Sequence, residues 1–136
     1  MNDVKDLKKS LPATESSFII DLEGMVTGKQ YQGEFACKIP NIKDQAAIAK
    51  HRAMLNGGFD AGLDIGTKNM HHMISYLRYT LTLFPKWWKE ADLGYALFDP
   101  NIVEEVYAKV LDFEKTWLES VWGPEEKEPD EPAKEA

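Results

Sequence analysis

Three features of this 136-residue sequence predict an α+β fold in which an N-terminal β-hairpin packs with three α-helices. Apolar residues recur at every second position in two runs between Ser17 and Ile39. From Asn41 to Gly123 they recur at helical spacing, and glycines, prolines and capping residues punctuate the runs. The chain divides accordingly into a flexible polar arm (1–16), one domain (17–123) and a disordered acidic tail (124–136).

The hairpin comes first. Phe18, Ile20 and Leu22 alternate with Ile19, Asp21 and Glu23, while Tyr31, Phe35, Cys37 and Ile39 stand opposite Gln32, Glu34 and Lys38. Each strand therefore has one apolar face. Gly24 and Gly28 suit the connecting loop, and Gly33 is expected at a bulge or a close approach of another segment.

Pro40-Asn41 ends the second strand, and Asn41 is placed to cap a helix with Asp44 in its first turn. That helix runs to about Asn56, stops at Gly57-Gly58, and offers Ile42, Ala46, Ala49 and Ala53 as a face of small side chains for close packing. A loop covers 59–66. Thr67 is the expected cap of the next helix, whose stripe is Met70, Met73, Ile74, Leu77, Leu81 and Phe84, with Pro85 ending it.

Next comes Trp87-Trp88. Two adjacent indoles cannot both face one core if the chain is regular, so at least one is expected at the surface. With Phe84, Tyr95 and Phe98 they form a predicted partner-docking edge: Phe84, Trp87, Trp88, Tyr95 and Phe98. The competing reading closes the core with one ring and lays the other flat against Lys86 or Lys89. An irregular connection (89–98) leads to Asp99-Pro100, an N-cap followed by proline at the first helical position. Ile102, Val103, Val106, Tyr107, Val110, Phe113, Trp117, Leu118 and Val121 define the third helix, closed by Gly123-Pro124.

Composition bounds the function. Acidic residues outnumber basic ones 23 to 16, giving a net charge of −7, so a nucleic-acid backbone would be repelled. Six acidic residues against two lysines place about half of that charge in the tail. A single cysteine, no secretion-signal pattern and no apolar run of the roughly 18–20 residues that span a bilayer predict a soluble cytoplasmic protein without membrane partners.

No catalytic, cofactor or metal constellation is expected. His71 and His72 project about 100° apart on a helix, and no Cys or His lies at ligand spacing. Cys37 sits on the inferred buried face, which favours a core thiol over a nucleophile. Glu104-Glu105 and Asp112 with Glu114 read as a solvated face, and the glycines of 57–66 lack the Gly-Lys-Ser/Thr ending of a phosphate loop. Met54, Met70 and Met73 read first as core, with an adaptable groove as the alternative.

With these elements in order, residues 18–118 resemble the tail assembly chaperones of long-tailed bacteriophages. The likeness rests on Tyr31-Gln32-Gly33-Glu34-Phe35, the Arg52 to Gly58 helix end, Met73-Ile74-Ser75-Tyr76-Leu77, Pro85-Lys86-Trp87-Trp88 and the helix from Asp99 to Glu114. The resemblance implies a non-enzymatic protein of the host cytoplasm that binds the tape-measure protein, keeps it soluble and promotes assembly of tail-tube protein around it. Many members are made in two lengths by ribosomal frameshifting near the end of the first frame. A structural virion protein, such as a head-completion or tail-terminator subunit, is the alternative, and a homo-oligomer is left open.

Overall fold

The structure, a computed structural model, describes residues 11–57 and 62–123. Within these the fold is α+β. The expected disorder of the acidic tail lies outside the described residues, as does most of the expected arm. The described end of that arm is engaged: the Ile39 amide donates to the Thr14 carbonyl at 2.9 Å, and β1 starts at Glu15.

β1 (Glu15–Glu23) and β2 (Gln30–Lys38) pair antiparallel in the register Phe18↔Phe35, Ile20↔Gly33 and Leu22↔Tyr31. The alternation of the sequence is therefore the alternation of the sheet. Ile20, Tyr31, Phe35 and Cys37 are buried, while Ile19, Asp21, Gln32 and Glu34 face outward. Phe18 and Phe35 stack with ring centroids 5.5 Å apart. Gly33 marks a close approach, since a Cβ there would lie 2.6 Å from Pro85.

α1 (Ile42–Leu55) starts as the sequence predicts. Asn41 Oδ1 accepts from the Asp44 amide at 2.8 Å and Asp44 Oδ2 accepts from the Asn41 amide at 3.0 Å, a reciprocal capping box. Its packing face, however, is not the small one. Ile42, Ala46, Ala49 and Ala53 are exposed, and Ile48 is buried. One isoleucine, with His51, Arg52 and Leu55 on the same side, outweighs a row of alanines that has little area to hide.

α2 (Ile65–Thr80) begins earlier than expected, because Asp64 caps it by accepting from the Thr67 amide at 2.8 Å. It also ends earlier. Leu81–Leu83 leaves the helix as β3, pairing with β2 through Ala36↔Leu83 and Cys37↔Leu81 across a bulge. Thr80 turns its hydroxyl onto the Tyr76 carbonyl at 2.8 Å, and the residue before Pro85 is barred from helical conformation, so the run before the proline extends. Leu81 and Phe84 consequently belong to the sheet side of the core and not to a helical stripe.

α3 (Lys86–Glu90) is a single short helix that reaches into the connection expected to be irregular (89–98), and it carries both tryptophans. α4 (Pro100–Trp122) has proline in its first turn and stops at Gly123 (φ 83°), as expected. Its first half is buried through Ile102, Val103, Val106 and Val110, whereas Leu118, Val121 and Trp122 are exposed. Leu111 and Phe113 still pack on the core, so the predicted apolar stripe outruns it by about two turns.

Trp88 is the keystone of that core, with 1 % of its surface exposed. Its ring meets Phe35 edge to face at 5.4 Å. Its other side lies on Gly94, whose φ of +91° and missing Cβ leave room for the indole. Truncation of a buried indole removes about 3–5 kcal/mol of stability. Trp88→Ala is therefore expected to shift a urea midpoint sharply downward, and Trp122→Ala to stay within about 0.5 kcal/mol of wild type.

Candidate functional site

One end of the molecule is organised around Asp99. The residue holds the N-cap position of α4, and its carbonyl accepts from the Ile102 amide at 3.1 Å. Its side chain does not cap the helix, contrary to the sequence expectation. It turns into the β1–β2 loop, where Oδ1 accepts from the Val26 and Thr27 amides at 2.7 and 2.9 Å. Oδ2 accepts from the Thr27 hydroxyl at 2.6 Å and the Tyr31 phenol at 2.8 Å.

Asn101 completes the clamp. It accepts from the Met25 amide and donates to the Glu23 carbonyl, both at 3.0 Å. Burial alone would raise the Asp99 pKa, but the bonds from Thr27, Tyr31 and Val26 outweigh it and hold the carboxyl at about 2.

The clamp has a consequence for the surface. With its loop fixed by backbone amides, the side chains of Met25 and Val26 point away from the protein, 69 % and 65 % exposed, and Phe98 beside Asp99 is 76 % exposed. Phe98 also borders a concavity of about 280 Å³ whose walls include Tyr31, Trp87 and Leu97, with Lys29 and Glu90 among its polar residues. An apolar tip of this kind is a candidate docking surface.

The five aromatics predicted to form one edge separate into three places. Trp87 and Phe98 meet at the concavity. Trp87 is half-buried, edge to face with Tyr31 at 5.0 Å, and its indole N–H donates to the Gln32 carbonyl at 2.9 Å. Trp88 and Phe84 join the core, so Trp88 is not available to a partner. Tyr95, exposed, lies beside α2 with its hydroxyl 3.0 Å from His71 Nε2. A tight turn separates the rings: Asp92 and Leu93 both take positive φ, folding residues 91–98 back under α3.

Met25 and Val26 were absent from the sequence-based set. Their signal was two large apolar residues inside a glycine-flanked loop, where no strand partner could cover them. A second concavity, of about 560 Å³, runs between α1 and α2 and is lined by Ala47, Lys50, His51, Met54 and Tyr79. Of the three methionines weighed for a groove, Met54 lies there, while Met70 and Met73 pack on the core.

The reactive groups are elsewhere engaged. Cys37 is sealed in the core, and burial, then Glu114 and Glu15, push its thiol up to about 11. His51 Nδ1 meets Ser75 Oγ at 2.8 Å, yet Ser75 is fully buried and cannot reach a substrate. Glu114 is not part of a solvated face, because it accepts a short hydrogen bond from the Tyr76 phenol. Burial and that bond hold the phenol far above its ordinary value. Among the described residues no group of three His, Cys, Asp or Glu could hold a metal ion, and no helix is long and apolar enough to cross a membrane.

Since the folded carboxyl of Asp99 titrates below the roughly 3.9 of an unfolded aspartate, its contribution to stability is full above about pH 4 and is lost as the pH falls toward 2. Asp99→Asn is expected to melt below wild type at pH 7, and the gap in melting temperature to close as both are titrated to pH 2, read by circular dichroism. In comparisons with known proteins, no family model matches the chain, and no curated protein or solved structure matches it significantly.

Proposed function

We propose that the chain is a tail assembly chaperone of a long-tailed bacteriophage. In this reading it acts in the cytoplasm of the infected cell, binds the tape-measure protein, keeps it soluble and promotes tail-tube assembly without catalysing a reaction. Two things support the reading. One is the resemblance of residues 18–118 to that family. The other is the apolar tip of Met25, Val26 and Phe98 on a chain of net charge −7.

A holdase needs apolar surface that is tolerated while free and covered by a client, together with charge that keeps the loaded complex dispersed. The tip serves the first need and the acidic surplus the second. The tip supersedes the five-aromatic edge as the client-binding surface, retaining Phe98 and the rim provided by Trp87. The flanking Lys29 and Glu90 leave room for polar contacts at the margin of an otherwise apolar interface.

Co-expression with a long helical polypeptide of the tape-measure class tests the proposal. Wild type is expected to bring that client into the soluble fraction. The triple variant Met25→Ser/Val26→Ser/Phe98→Ser is expected to lose most of it while melting within a few degrees of wild type. Retention of the client by the variant contradicts the tip as its site. Stoichiometric recovery of the protein from purified virions, by mass spectrometry, contradicts a chaperone and favours a structural subunit.

A further inference from the structure

The contact between α1 and α2 is unusually polar for a helix pair. Ile48 is the buried residue of α1, Leu55 is half-covered, and polar contacts to α2 come from His51, Arg52 and Asn56. His51 Nδ1 meets Ser75 Oγ at 2.8 Å, Arg52 Nη1 meets His72 Nδ1 at 2.9 Å, and Asn56 Oδ1 meets His71 Nδ1 at 2.8 Å. Every histidine of the chain lies in this one seam.

The chemistry of the Arg52 contact fixes the state of His72. A guanidinium donates and never accepts, so Nδ1 of His72 must accept, and the ring must be neutral with its proton on Nε2. Protonation removes that lone pair and sets two cations 2.9 Å apart. Among the described residues no acid is set against His72 in exchange: it faces Arg52 from α1, Tyr76 from its own helix and Tyr107 from α4. His51 faces Ser75, Tyr79, Arg78 and His71 from α2, with Asp92 after α3 as the one opposing carboxylate among the described residues.

We propose that α1 is a latch, closed by neutral His51 and His72 and opened by their protonation in mildly acidic solution, while the β-sheet and α4 stay folded. Opening would carry Ile48 off α2 and turn the 560 Å³ groove beside Met54 and Tyr79 into a broader apolar surface. The inference stands apart from the proposed function, since it rests on the seam alone.

The direction follows from the charges. Burial first, and then Arg52, lowers the affinity of His72 for a proton; burial and Arg78 do the same for His51, with Asp92 opposing. Both rings are thus less charged folded than unfolded. The seam is at full strength above about pH 6.5 and weakens below it. Each ring that gains a proton on opening raises the opening constant by at most about tenfold per pH unit below that value, and only until the closed ring itself takes up the proton.

Hydrogen exchange of the full chain at pH 7.5 and 5.5, corrected for intrinsic rates, tests this. The α1 amides are expected to lose protection at pH 5.5, by up to about tenfold for each ring, with β1, β2 and the first half of α4 unchanged. In His51→Asn/His72→Asn an amide oxygen replaces each Nδ1 without titrating, and α1 protection is expected to be flat with pH. Equal α1 protection at both pH values in wild type, loss spread evenly over the chain, or the same loss in the double variant overturns the latch. Should the double variant not fold, Arg52→Met serves instead: a shallower pH dependence of α1 supports the latch, and an unchanged one overturns it.

Discussion

The constraint on which the remainder of this structure depends is a buried carboxylate with no counter-ion bonded to it among the described residues. Asp99 has no cation beside it among the groups that bond it; its charge is balanced by two amides and two hydroxyls of the hairpin. A buried charge is tolerable only when its acceptor sites are filled, and these are. The loop, the second strand and the start of α4 are consequently held in one fixed relation. Because Pro100 follows directly, the helix must leave in a set direction, and its valines fall onto the sheet.

The same relation decides what the surface shows. A loop whose amides are turned inward to Asp99 has to turn its side chains outward, so Met25 and Val26 join Phe98 at one end without any of them being paired by design of the core. The adjacent tryptophans divide the labour differently. α3 directs Trp88 into the interior and leaves Trp87 half-covered, with its polar edge satisfied by the backbone of β2 and one margin on the concavity. Apolar surface at this end is therefore a product of the polar clamp beneath it. The α1 seam extends the pattern: in both places polar groups fix an element that apolar area alone would leave loosely held.

Much of this was legible in the sequence. Period-two alternation identified both strands and the correct inward faces, and Asn41, Gly123 and Pro100 marked helix boundaries through chemistry local to the chain. The readings that failed depended on contacts between distant residues. Thr80-Leu81-Thr82-Leu83 has strand alternation, but at four residues it could not compete with the helical spacing of the preceding stripe until β2 provided a partner. Asp99 carried the composition of a cap, and only the hairpin 70 residues earlier reveals its stronger use. The alanine row of α1 suggested a packing face, although the histidines that fix the true face had no meaning without α2. Adjacent indoles were expected to split between core and surface, and they did so partially, with Trp87 committed to Tyr31 and Phe35.

The account as a whole turns on the state of one side chain. A carbon-detected NMR titration of the Asp99 carboxyl, followed together with the amide shifts of Val26 and Thr27, examines it directly. The predicted midpoint is about 2, with both amides shifting in step. A midpoint at or above the roughly 3.9 of a free aspartate, with the two amides unresponsive, would contradict the clamp and the surface built on it.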